Sequence, residues 1–199
     1  MSKSFAAIIR TSIISLIATI TLSGCLTAIV ATAAIATIDI IHDRRTVGEY
    51  IDDSAIEVTA RNILISTAEI RKATHFKTQS WNGILLITGE IDSETLKPAL
   101  IEKLSSIQGV RQVVDETSIT GKTKLWARTN DALITSRVKT RLLLKTGLSA
   151  NRVKVVTTRG SVYLMGIVTR AEADRATEYT QTVRGVKRVV KVFEYKESN

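Results

Sequence analysis

The stretch WNGILLITGEI (residues 81–91) lines up with TRGSVYLMGIV (residues 158–168), placing Gly83 on Gly160 and Gly89 on Gly166. Two more blocks follow in the same order. IEVTARNIL (56–64) parallels ITSRVKTRL (134–142), and IQGVRQVV (107–114) parallels VRGVKRVV (183–190), with Gly109 on Gly185. Three aligned blocks in one order make an internal duplication. The 199 residues thus hold two units, 53–120 and 129–195, joined by a linker at 121–128.

Each unit reads as helix, strand, strand, helix, strand. Ser54 and Glu57 have capping-box spacing, so Asp52, Asp53 or Ser54 is expected to start a helix. Asn130 or Asp131 takes that role in the second unit. Asn82-Gly83 and Arg159-Gly160 mark hairpin turns, because glycine tolerates the positive φ of tight hairpins. Gly109 and Gly185 stand where a helix stops and a strand begins. Gly89 and Gly166 interrupt strand patterns, as a bulge or a close helix approach requires. Pro98 has no counterpart and fits only a first helical turn, which starts that helix near Thr95. Units this small bury enough surface by packing both helices on one sheet face. The expected fold class is α+β: two tandem αββαβ domains, each with two helices on one face of a three-stranded mixed sheet.

Residues 1–24 carry Lys3 and Arg10 but no acid, and include the apolar run TSIISLIATITL (11–22), the layout of a signal peptide. The run ends at Leu22-Ser23-Gly24-Cys25, which holds the chain's single cysteine. This tetrad resembles the bacterial lipobox. It implies cleavage after Gly24, with diacylglycerol and an N-acyl lipid carried covalently on Cys25. Residues 25–52 would then be the acylated N-terminus and linker. Two other readings stay open: an uncleaved membrane anchor, since no charge falls between Arg10 and Asp39, and a plain core thiol. Residues 26–38 are mostly Ala, Thr and Ile, a weak hydrocarbon-core composition.

The paired glycines, the αββαβ order and the duplication resemble the BON domain family. DRRTVGEYIDD (43–53) is similar to the segment before the first domain in dual-BON lipoproteins of the Gram-negative outer membrane. With the lipobox, the resemblance covers nearly the whole chain. It implies a protein lipid-anchored to the outer membrane and facing the periplasm. It further implies binding of anionic phospholipid through the second domain, in support of envelope integrity. Leu26, rather than Asp, follows the cysteine, and by the family's sorting rule this favours the outer membrane.

No catalytic set is visible. The two histidines, His42 and His75, are far apart, and no G-x-S-x-G or Walker pattern occurs. Asp52 and Asp53 are neighbours whose carboxylates need not converge, and read as capping and solvation. The chain is expected to be no enzyme, with no metal, cofactor or small-molecule substrate.

Charge is placed unevenly. Residues 53–120 hold seven basic and nine acidic side chains, a net of −2. Residues 128–195 hold fourteen basic and five acidic, a net of +9. One fold used twice does not require that divergence, whereas an anionic partner would reward it. In the first helix of the second unit, Ile134, Val138 and Leu142 form a core stripe. Arg137, Arg141 and Lys145 form a second stripe, with Leu133 and Leu144 close to it. Cations flanked by aliphatic groups suit an anionic phospholipid surface. The plainer alternative is a solvated face whose two leucines are covered by the other domain or the linker. Where the family resemblance leads one to expect an aromatic at the start of this helix, Leu133 stands. Lys154, Arg159, Arg170, Arg175, Arg184, Lys187, Arg188 and Lys191 could widen the patch. Trp126 fits either the lipid interface or the space between domains. Export and the lack of paired sheet aromatics argue against nucleic acid. A second class of partner is another outer-membrane or periplasmic protein, docked on the open sheet face of either unit.

Overall fold

The computed structural model describes residues 44–66, 76–91, 94–119, 125–146, 148 and 152–197. Cys25, His42 and His75 lie outside the described residues. The element order is α1 (Val47–Ser66), β1 (Phe76–Trp81), β2 (Ile84–Glu90), α2 (Leu96–Ser105), β3 (Gln112–Ser118), α3 (Leu125–Thr146), β4 (Lys154–Thr158), β5 (Ser161–Val168), α4 (Arg170–Gln181) and β6 (Arg188–Tyr195). This is αββαβ written twice. In each copy the middle strand pairs antiparallel with the hairpin strand before it and parallel with the strand reached through the second helix. The fold is α+β with two three-stranded mixed sheets, as the repeat implies.

Both first helices begin earlier than their sequence caps suggest. α1 starts at Val47, where Thr46 and Glu49 form the reciprocal cap: the Glu49 amide donates to Thr46 Oγ1 (3.1 Å) and the Thr46 amide to Glu49 Oε2 (2.6 Å). Ser54 is mid-helix, donating to the Tyr50 carbonyl. α3 already runs through residues 125–128, read above as linker. α2 does start after Thr95, with Pro98 in its first turn.

Asp53 and Asp131, freed from capping, do something else. Each is buried, and each carboxylate accepts both amides of its domain's hairpin turn. Asn82 and Gly83 donate to Asp53 at 2.7 and 3.0 Å; Arg159 and Gly160 donate to Asp131 at 2.8 and 2.9 Å. Both residues of each turn have positive φ, 50° and 73° in the first and 55° and 80° in the second. The turn then holds the far end of the domain. The Gly83 carbonyl accepts from the Arg111 amide (2.8 Å) and the Gly160 carbonyl from the Lys187 amide (2.9 Å). First helix, hairpin and the chain leaving the second helix are therefore pinned at one corner, twice.

Each domain has its own apolar core between helices and sheet. Ile56, Leu85, Ile87, Leu100 and Leu104 are buried in the first, and Ile134, Val138, Leu142, Val162 and Leu164 in the second. A third cluster belongs to neither alone: Trp81 and Leu86 pack with Val156, Tyr163, Met165 and Val192. The sheet faces left open by the helices are thus buried on one another. This corrects two expectations: Trp81, which its place in the first hairpin marks as a half-buried strand residue, is buried, and neither sheet face is free to dock a partner. Polar links border the seam: Arg188 with Glu116, Arg111 with Glu194 (2.6 Å), Asn82 Nδ2 with Glu194 (2.7 Å), and Lys77 Nζ with the Thr157 carbonyl (2.9 Å).

The segment entering α1 joins the same body. Arg44 makes a two-pronged ion pair with Glu172 at the start of α4, at 2.7 and 2.8 Å. Hydrogen bonding from Arg44 is the main cause that pulls the Glu172 carboxyl from its ordinary value near 4.5 down to about 2. A depressed carboxylate pKa contributes stability that is present above pH 4.5 and is lost as pH falls toward 2. Thermal melts taken down through that window should show the Glu172→Gln variant losing less stability than wild type. Parallel acid limbs would refute the assignment.

Candidate lipid-facing site

α3 carries the site. Its inner stripe of Ile134, Val138 and Leu142 is buried against the second sheet, as the spacing predicts, and this fixes which side chains turn outward. Arg137 and Lys145 are exposed and Arg141 is half-exposed. Leu133 is 51% and Leu144 73% exposed, so the covered-leucine alternative does not hold for the described residues. Leu143, at 56%, joins them. Trp126 falls in the first turn of α3, but its side chain lies outside what is described.

The outer face of α3 is not flat. Ser136, Arg137, Thr140, Arg141, Leu144 and Lys145 line one side of a groove of about 560 Å³, and Val183 and Arg184, just past α4, line the other. Four of the predicted residues (Arg137, Arg141, Leu144 and Lys145) are therefore brought together. Leu133 sits on the same helix beyond the groove. Among the described residues, none of Arg137, Arg141, Lys145 and Arg184 pairs with a carboxylate. Four cations thus share an aliphatic groove with no internal counter-charge.

The wider patch shrinks. Arg188 is committed to Glu116 and Lys191 to Asp174 (3.0 Å), while Arg159 donates to Ser118 Oγ (3.1 Å). Arg170 lies over the Tyr195 ring, 5.0 Å from its centroid. Part of the second domain's positive charge thus serves the fold and the seam. Of the other four, Lys154, Arg175, Arg184 and Lys187, Arg184 lines the groove, a place the sequence did not settle: it sits some forty residues from α3 in the chain and reaches it only through the α4 corner. Among the described residues no group of three or more His, Cys, Asp or Glu converges as metal ligands would, and no helix is long and apolar enough to cross a membrane.

Comparison with known proteins bears on this geometry. The BON domain model matches residues 52–121 and again 130–197. The chain belongs to the BON domain family. It is 31% identical over 178 residues, 89% of this chain and 92% of the relative, to the outer membrane lipoprotein DolP of Haemophilus influenzae. It is 29% identical to a 21 kDa hemolysin of Actinobacillus pleuropneumoniae, covering 77% of this chain and 79% of that one. It is 30% identical to osmotically-inducible protein Y of Escherichia coli, covering 72% of each. The two BON matches and the DolP match place the chain with the dual-BON lipoproteins of the outer membrane.

Proposed function

We propose that the chain is a non-enzymatic lipoprotein, acylated on Cys25 at the periplasmic face of the outer membrane, whose second domain binds anionic phospholipid through α3. The observation that carries this reading is the groove: unpaired Arg137, Arg141, Lys145 and Arg184 around an exposed Leu144. Phosphates meet the cations while Leu133, Leu143 and Leu144 enter the interface. An acylated protein needs no further affinity to stay on a membrane, so the second contact selects where on the membrane the domain sits. Tethering raises its effective concentration there, and weak headgroup contacts suffice.

Arg137→Glu with Arg141→Glu tests the reading by vesicle sedimentation of the unacylated chain from residue 26. Each basic residue near an anionic surface contributes about 1 kcal/mol, so losing two costs roughly 30-fold in binding. Binding should require anionic rather than zwitterionic vesicles and weaken with salt. Unchanged binding of the double variant would sink it. A second reading, docking of another envelope protein, moves away from the buried sheet faces to α1, where Val47, Tyr50, Ile51, Val58 and Ile65 are exposed. Binding of that kind would persist at high salt.

A further inference from the structure

The motif DRRTVGEYIDD contains two adjacent arginines, and they reach into different domains. Arg44 turns to the second. Its Nη1 donates to Glu172 Oε2 (2.7 Å) and to the Ile167 carbonyl in β5 (2.8 Å), and its Nη2 donates to Glu172 Oε1 (2.8 Å). Arg45 turns to the first. Its Nη1 donates to Asp53 Oδ2 at 2.7 Å, with both side chains almost fully buried. Its guanidinium lies 3.7 Å from the Trp81 ring centroid and 5.1 Å from that of Tyr50.

Both anchor points are already in use by the fold. Asp53 is the residue that clamps the first hairpin turn, and Trp81 belongs to the cluster shared by the two sheets. Glu172 caps α4, accepting from the Thr169 amide at 2.9 Å. The chain therefore enters the folded body at the junction of the domains, nineteen residues after Cys25, rather than at the outer end of the first domain. A tether attached through α1 alone would load one domain and leave the second hanging from the seam.

We propose that Arg44 and Arg45 form a strap that fastens the incoming tether to both domains at once. The second domain is then held in one orientation relative to the point where the tether arrives. The strap rests on these contacts and is independent of what α3 binds.

Hydrogen exchange on the full-length acylated protein tests it. Glu172→Gln keeps a capping group at the third helical position but removes the charge that holds Arg44. Exchange of the segment 44–50 should then rise by roughly tenfold or more, since a charge-assisted pair is lost. Asp174→Asn, which breaks only the exposed pair with Lys191, should leave that segment unchanged. Arg44→Gln, which leaves the α4 cap intact, should raise exchange of 44–50 by a similar factor. Wild-type exchange rates in Glu172→Gln would overturn the strap. So would wild-type exchange of that segment in Arg44→Gln.

Discussion

Asp53→Ala is expected to cost about 3–5 kcal/mol, more than Asp131→Ala, although the two residues do the same work in their domains. Removing Asp53 strips the Asn82 and Gly83 amides of their acceptor and takes from the buried Arg45 the carboxylate it donates to. Breaking a buried ion pair by deleting one partner typically costs about 3–5 kcal/mol. Asp131 has no such arginine among its described partners. Its loss orphans the Arg159 and Gly160 amides, of which only the Gly160 bond is fully buried, so the cost is about 1–3 kcal/mol. Either cost is a large share of a domain's total stability, about 5–15 kcal/mol. Urea midpoints of the two variants give the comparison directly. Equal, small losses would mean that water replaces the carboxylates and that the corner is not the point on which each domain is pinned.

Gly166→Ala should cost about 3 kcal/mol or more, for a reason of space rather than backbone conformation. A Cβ on Gly166 would stand 2.2 Å from the Arg152 carbonyl oxygen and 3.4 Å from Val153 Cα. The obstacle is main chain, so no rotamer change relieves it, and overpacking costs of about 1–3 kcal/mol are reached or exceeded. The strand must part from the segment leading into β4. The close approach expected at this glycine is therefore real, but it comes from the Arg152–Val153 backbone and not from a helix. Gly89, its counterpart, differs: its φ of 134° is one that side-chain-bearing residues rarely adopt. Gly89→Ala should accordingly be destabilising through backbone strain, of order 1–3 kcal/mol. Thermal melts measure both losses; a Gly166→Ala melt equal to wild type would mean that the strand parts from the Arg152 backbone at no cost.

The Asp clamp is legible in the sequence. The blocks that begin at Ile56 and Ile134 extend upstream by three residues to Asp53 and Asp131, so the duplication keeps an aspartate at matching positions. Capping chemistry explained each aspartate locally and hid that agreement. The sheet seam also left a trace. Ile84–Ile87 and Val162–Met165 are continuous apolar runs, whereas a sheet with one solvated face alternates. Such runs require burial on both faces, and the second face is buried in the cluster shared by the two sheets.

What the sequence determines by itself here is what depends on periodicity and local chemistry. The repeat sets the αββαβ order, Asn82-Gly83 and Arg159-Gly160 set the hairpins, and the Ile134–Val138–Leu142 stripe sets which face of α3 turns outward. These follow from neighbours a few residues apart, through φ preferences and helical spacing. Only the tertiary structure decides how side chains from distant segments meet. It brings Arg184 to the α3 groove, commits Arg188 to Glu116, closes the two sheets on each other and sends Arg44 to Glu172, 128 residues away. Those pairings depend on how two nearly equivalent domains pack, and no local rule of spacing or propensity encodes that packing.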